Sequence, residues 1–494
     1  MPVRDLSKLG PVEGDPIPMG LLPAYHAARN PQAPAITEGD ETIGYAELEA
    51  RANRKARRLA VAGVGLDDVV VLAAPKGIIF YEWSFAIWKL GASVCQVSSS
   101  LPAVEFEAIL DLAQPRVVVS TTPVRRVGCA FVDAREPLDE TQSIEALPAR
   151  IASHWKISTS GGSTGRPKLI VDRGPSVWNP RQGVLGIEPG DVVINPAPLY
   201  HTAPFGFMHT VLFTGGHVVE LPRFDPATYL AAVAQWRASW AYLVPTMMHR
   251  ISRLSASEKR HDLSSLEVII HMAAACPAWL KQEWINWLGP DVIWELYGGT
   301  EVLGATLING EEWLAHPGSV GRLWMGTGMK ILDEAGDPCA PGVVGEIYFH
   351  VGDAAPYRYI GAEARVSGDW QSFGDMGWMD ADGYLYIADK RTDMIVTGGA
   401  NVYPAEVEAA IEAHPGVASC VVVGLPDDDF GHRIHAIVQA TNPDVREDGA
   451  LKRFLADRLA AYKIPKAFEF VDVSLRSDDG KVRRSAYRDA RLGS

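Results

Sequence analysis

Cysteine is scarce in this chain. Five residues (Cys95, Cys129, Cys276, Cys339 and Cys420) are scattered over 494 positions, odd in number and never spaced as CxxC. That excludes a disulfide-stapled scaffold, argues against a structural zinc site, and points to a reduced, cytoplasmic protein. Positive charge is also in deficit: 46 Lys and Arg against 60 Asp and Glu leave a net charge of −14. A nucleic-acid or anionic-membrane partner is therefore not expected. No apolar run is long enough to span a bilayer, and the opening MPVRDLSKLGPVEGDP lacks an apolar signal core. There is no internal repeat or low-complexity tract. What the chain does have is length. At 494 residues it predicts two or more domains, because single hydrophobic cores stop growing near ~250–300 residues.

Taken in order, residues 1–30 read as an irregular, proline-punctuated lead-in. A helix follows over Ala46 to Ala62, with Leu48, Ala52, Ala56 and Leu59 at helical spacing. Strands are predicted at Val69–Leu72, Ala92–Val97 and Arg116–Ser120, with helices at Phe80–Leu90 (capped by Gly91) and Ala103–Leu112 between them. Such alternation argues for a parallel sheet covered by helices. It resumes with strands at 192–194, 218–221 and 240–244, a helix at 226–236, and strands at 268–270 and 292–294. From about 318 to 388 short strands between Gly/Pro/Asp turns suggest a small β-rich subdomain. Beyond it the pattern turns α+β: a strand at 394–396, a helix at 404–414, strands at 418–423 and 434–440, and a helix at 447–461. The expected division is 1–389 and 390–494. The fold class is α/β, a large N-terminal domain of parallel sheets with a β-rich subdomain, followed by a small, mobile α+β C-terminal domain.

The densest chemistry lies at Ser158 to Lys168, STSGGSTGRPK, between two apolar runs. Gly161, Gly162 and Gly165 free the backbone to turn its N–H groups on a ligand. Ser160, Ser163 and Thr164 add hydroxyls, and Lys168 adds a point charge suited to phosphate. It is not a P-loop, which needs Gly-Lys-Ser/Thr opening a helix; here Arg166-Pro167 precedes Lys168 and no hydroxyl follows. Taken alone, the stretch could also be a solvated Gly/Ser turn, the less favoured of the two readings.

The Ser/Thr-rich run closed by Gly-x-Pro-Lys resembles the signature loop of the adenylate-forming superfamily, which includes acyl-CoA synthetases, luciferases and the adenylation domains of peptide synthetases. Gly161 departs from it, standing where many members carry Ser or Thr. Further stretches fit the same family in order. Pro198-Leu199-Tyr200-His201 resembles its aromatic/His segment, although a lone His201 would more often be a satisfied loop histidine. In Glu295-Leu296-Tyr297-Gly298-Gly299-Thr300-Glu301 the resemblance implies nucleotide contact by 295–298, a donor to the α-phosphate in Thr300, and a Mg²⁺ ligand in Glu301. Asp375, between Gly374 and Gly377, matches the carboxylate that accepts the ribose hydroxyls. Asp389 to Ile395 resembles the segment joining the two domains. Lys390 there replaces the usual ribose-binding Arg, with Arg391 beside it, and the hinge position falls on Thr392. Gly398-Gly399 resembles the glycines lining a thiol tunnel. Lys481, in Gly480-Lys481-Val482, takes the position of the family's catalytic lysine, where composition alone would suggest a solvated charge run.

Ala273-Ala274-Ala275-Cys276-Pro277 matches a segment beside adenine and the acyl group. Ala274 and Ala275 are assigned to the nucleotide. Ala273, Gly299, Pro204, Phe205, Gly206, Val244, Thr246 and Met247 are assigned to the acyl pocket, with ordinary core packing the alternative for the last six. The wording around 271–280 resembles ligases for bulky acids such as bile acids, steroid side chains or terpenoids. The resemblance thus implies an AMP-forming acid–thiol ligase using ATP, Mg²⁺ and CoA on a small-molecule carboxylic acid. Other readings remain open: a carrier-protein or amine acceptor, a luciferase-type oxidation, or a catalytically silent binding protein. An oligomer is also possible.

Overall fold

The computed structural model describes residues 4–6, 13–161, 167–390, 393–397, 400–427, 431–447, 449–476 and 482–492. The largest sheet has seven strands, in the order Tyr357–Ile360, Pro167–Asp172, Lys156–Gly161, Ser93–Gln96, Val69–Ala73, Val117–Ser120 and Ala130–Asp133. The last five run parallel, and the first two are added antiparallel. The parallel strands at 93–96 and 117–120 are buried at every position, as near-continuous apolar runs covered on both faces require.

Between Val69–Ala73 and Ser93–Gln96, helix Ile78–Lys89 buries nearly its whole circumference. It ends as expected at Gly91, whose φ of +69° is the left-handed conformation glycine adopts at least cost. Helix Pro226–Trp236 has its predicted bounds, set by the Asp225 side chain accepting from the Thr228 N–H at 2.9 Å and by proline at the first helical position.

A second sheet, Trp240–Leu243, Val268–His271, Ile293–Gly298, Ala305–Asn309 and Arg322–Met325, is parallel in its first three strands and antiparallel in the rest. A third has four strands, Val192–Asn195, His217–Glu220, Pro34–Glu38 and Glu41–Gly44. The β-rich region after 318 forms a six-stranded sheet and lends Tyr357–Ile360 to the largest one.

Two expectations need correction. Residues 1–30 are not simply irregular. Ile17–Pro18 pairs with Val177–Trp178, and a 3-10 turn at Met19–Leu21 runs into helix Leu22–Ala27. Burial of Met19 and Leu22, together with Gly20 seated against the Lys89 backbone, holds this segment down. The helix expected over 447–461 covers only Ala450–Ala456, with a 3-10 turn at Ala461–Lys463. Leu451, Leu455 and Leu459 all bury at helical spacing, but only the first two lie in the helix.

The C-terminal part builds its own core from Ile395, Val407, Ile411, Val438, Leu451, Leu455 and their neighbours, distinct from the main one. Its sheet is Val417–Asp427, Gly431–Ala440 and Ala467–Val471. All five cysteines are free thiols. Among the described residues, no helix is long and apolar enough to cross a membrane.

Candidate active site

Lys168 is delivered by the antiparallel pairing of Lys156–Gly161 with Pro167–Asp172, in which Gly161 faces Pro167 and Ser160 faces Lys168. The side chain of Ser160, and all of Gly162, Ser163, Thr164 and Gly165, lie outside the described residues. Glu301 arrives from another direction. Strand Ile293–Gly298 ends in a tight turn, closed by the Val302 N–H donating to the Gly299 carbonyl at 3.0 Å. The turn carries Thr300, which is half-buried, and brings the Glu301 carboxylate to 3.4 Å from Lys168 Nζ.

Tyr359, on the strand beside Lys168, completes the group. Its hydroxyl donates to Glu301 Oε1 at 2.5 Å, and its ring lies 3.9 Å beneath the Lys168 ammonium. Burial first, then the Glu301 charge, pushes the Tyr359 phenol far up, so it remains a donor.

Asp375 opens strand Asp375–Met379 after Gly374, whose φ is +82°. Its Oδ2 accepts from the Tyr297 hydroxyl at 2.8 Å. In the same sheet its backbone stands directly across from that of Lys390, on the next strand of the chain, Leu385–Lys390. A Cβ on Gly299 would come within 2.5 Å of the Phe373 ring and 2.8 Å of Glu301 Oε2. Glycine is needed there because the Phe373 ring and the turn's own Glu301 carboxylate close on one point. This also answers whether the residues suit a divalent cation: a hard carboxylate oxygen faces space that only the missing side chain leaves open, and they do fit.

Glu295, Leu296, Tyr297 and Gly298 form the strand entering the turn. The Glu295 carboxylate points inward and pairs with buried Lys281 at 2.7 Å, so contact with a ligand is left to its backbone. His271 Nε2 lies 3.8 Å from the same carboxylate, and burial lowers its pKa to about 4, keeping it neutral.

His201 is the N-cap residue of helix Thr202–Phe213, with its ring 4.5 Å from that of Tyr200. On that helix Phe205 is fully buried against Phe80, Trp88, Trp155 and His209, and Pro204 is also buried. A Cβ on Gly206 would meet nothing within 4 Å. Val244 and Met247 are buried in the main core. Thr246, Ala274 and Ala275 line one cavity with Pro245, His249 and Trp279, closed from the C-terminal side by Glu412, Ala418 and Arg476. Ala273, just before Ala274 in the chain, is exposed and holds φ +75°.

Arg391, Thr392, Gly398, Gly399 and Lys481 lie outside the described residues. Their flanks are ordered by charge. Arg476 donates to Glu412 at 2.9 Å. Arg484 grips both Glu408 oxygens at 3.1 and 2.7 Å and reaches Asp393 at 2.9 Å.

Reading the sequence motif by motif did not single out Tyr359, Lys281 or His271 as parts of this arrangement. For Tyr359 a signal was available: Tyr357-Arg358-Tyr359 in a strand places both tyrosines on one face.

Residues 24–354 match the family described as AMP-binding enzyme. The chain belongs to this family. Residues 406–481 match its companion, the AMP-binding enzyme C-terminal domain. Among relatives of this AMP-binding enzyme, a feruloyl-CoA synthase of Amycolatopsis sp is 31% identical over 95% of this chain and 98% of its own. A 2-succinylbenzoate–CoA ligase of Bacillus licheniformis is 29% identical over 93% and 97%. Of the solved structures, ATP-bound MatB from Rhodopseudomonas palustris is 27% identical, with a TM-score of 0.78 over 95% of this chain and 98% of that one. The o-succinylbenzoate CoA synthetase of Bacillus subtilis, carrying its acyl-adenylate, shares the fold at a TM-score of 0.82 over 97% and 99%, with 24% identity.

Proposed function

We propose that this AMP-binding enzyme joins a carboxylic acid to CoA in two steps, by way of an acyl-adenylate. The observation that carries the reading is the convergence of Lys168, Glu301 and Asp375, from three distant stretches, around the Gly299 turn. The relatives named as CoA ligases support it.

In the first step a carboxylate oxygen of the acid attacks the α-phosphorus of ATP, and pyrophosphate leaves. Lys168 and the glycine-rich turn hold the phosphates, Thr300 donates to the α-phosphate, Asp375 accepts from the ribose hydroxyls, and Lys390 or Arg391 contacts ribose or phosphate. Mg²⁺ held by Glu301 would neutralise the negative charge gathered in the transition state. Lys481 brings an ammonium between the reacting anions. The C-terminal unit, divided from the rest at 389/390, then turns about Thr392. That withdraws Lys481 and presents Gly398-Gly399, along which the thiol reaches the acyl carbon. The thiol sulfur attacks, AMP leaves with the electron pair, and the thiol proton is lost to solvent. Such a turn lets one water-poor pocket serve both steps.

The substrate we favour bears a bulky ring. Three of the relatives are named for feruloyl, 2-succinylbenzoate and indoleacetate groups, and Gly206 and Ala273 leave room where such a group would lie. The free cysteines suit a reducing compartment such as the cytoplasm.

The test is pyrophosphate release with Mg-ATP over a panel of aryl, aliphatic, bile-acid and diterpenoid carboxylates, with CoA added afterwards. Release with at least one acid, followed by CoA-dependent AMP formation, is expected. Pyrophosphate release that no CoA converts to AMP would move the acceptor to a carrier protein, as in the name of a relative from Streptomyces coeruleorubidus. No release with any acid would overturn the ligase reading.

A further inference from the structure

Tyr359 has no part in the reaction just described, yet it sits closer to the Glu301 carboxylate than Lys168 does. It meets both charges with different parts of one side chain. The hydroxyl donates to Oε1 at 2.5 Å, while the ring carries the ammonium at 3.9 Å. A lysine and a carboxylate left to themselves would draw into a closer pair, costing the cation its phosphate and the carboxylate its metal. Here they are held 3.4 Å apart and both meet on Oε1, so Oε2 is left turned toward Gly299.

We propose that Tyr359 is a positioning residue for the divalent cation: it fixes the Glu301 carboxylate by Oε1 so that Oε2 is presented to the metal, and its ring holds Lys168 ready for phosphate. The proposal rests on the adenylating reading of this site. Tyr359 is itself held, with its ring 4.8 Å edge-on to Tyr357, whose hydroxyl donates to Gln371 at 3.0 Å.

The test is ATP binding by calorimetry, with EDTA and then with increasing Mg²⁺. In the wild type Mg²⁺ tightens ATP binding, and Glu301→Gln abolishes that gain. Tyr359→Phe keeps the ring and loses only the hydroxyl. It should bind ATP in EDTA as the wild type does but lose about tenfold of the Mg²⁺ gain, the size of one hydrogen bond to a charged group. Tyr359→Leu should also weaken binding in EDTA. If Tyr359→Phe lacks a cooperative melting transition, Tyr359→His takes its place; retaining a ring and an N–H donor, it should recover most of the gain.

A Mg²⁺ gain in folded Tyr359→Phe equal to that of the wild type, or a folded Tyr359→His without the gain, overturns the proposal while leaving the ligase reading intact. A wild type that binds ATP with no Mg²⁺ gain overturns the proposal together with the metal role of Glu301. A wild type that binds no ATP overturns the ligase reading itself.

Discussion

Glu301 is the residue on which the site turns, because its two oxygens have different tasks. Neutralising it should therefore cost chemistry and little stability. Glu301→Gln is expected to lower ATP–pyrophosphate exchange by on the order of 10²–10³-fold, with a melting temperature close to that of the wild type. A fall of less than threefold would remove Glu301 from the metal's coordination. Its neighbour Val302 holds φ +54°, a conformation in which a β-branched side chain costs about 1–2 kcal/mol. The Val302 N–H bond to the Gly299 carbonyl keeps the turn tight against that strain. Val302→Gly should raise stability by about 1 kcal/mol, after allowing for the freer unfolded chain, and should loosen nucleotide binding. Denaturant unfolding and ATP titration of the same variant check both halves. Much of this scale was legible in the sequence, since Lys168, Glu301 and Asp375 stand in recognisable local patterns. The pairings Tyr359–Glu301 and Tyr297–Asp375 were not, because each joins side chains 58 and 78 positions apart with no local signature.

Among the elements, helix Pro404–Glu412 does the most for the C-terminal unit. Glu408 and Glu412 are four residues apart on one helical face, and each takes an arginine from the far end of the chain, Arg484 and Arg476. Glu408→Ala would take from the Arg484 guanidinium its contacts with both oxygens of that carboxylate, at 3.1 and 2.7 Å. Breaking such a buried pair is expected to cost on the order of 3 kcal/mol. Hydrogen exchange should locate the loss in Val417–Asp427 and Gly431–Ala440, with the sheet around Val69–Ala73 unchanged. Loss spread evenly over both cores would contradict their independence.

Many of the expected strands and helices end within a residue or two of their expected bounds, but strands Ile293–Gly298, Val417–Asp427 and Gly431–Ala440 run three or four residues further, and helices Pro245–Ser252 and Ala278–Leu288 were not foreseen. Helix Thr202–Phe213 escaped because TAPFGFMHTVLF is apolar nearly all round, and a helix buried on every side shows no period. Ala450–Ala456 was overextended for the opposite reason: Leu459 keeps helical spacing and burial after the helix has ended.

Over the whole molecule, three buried histidines set the response to acid. Burial lowers His209 to about 3 and His217 and His271 to about 4. Depressed below the unfolded value near ~6.5, each favours the folded state above that pH, and each contribution is lost as pH falls from ~6.5 toward 4. Glu412 runs the other way. Burial raises it, so its share is present at low pH and lost as pH rises. The histidines outnumber it. The melting temperature should be level above about pH 6.5 and fall steeply by pH 4.5. His271→Leu should make that fall shallower, and an unchanged acid slope in that variant would remove His271 from the account.

The division into two cores is the other property of this scale, and the proposed reaction depends on it. It is tested most directly by separating the half-reactions in Lys481→Ala. With an acid that the wild type activates, the account predicts that ATP–pyrophosphate exchange collapses while thioester formation from supplied acyl-adenylate and CoA stays near the wild-type rate. Equal loss of both half-reactions would contradict it.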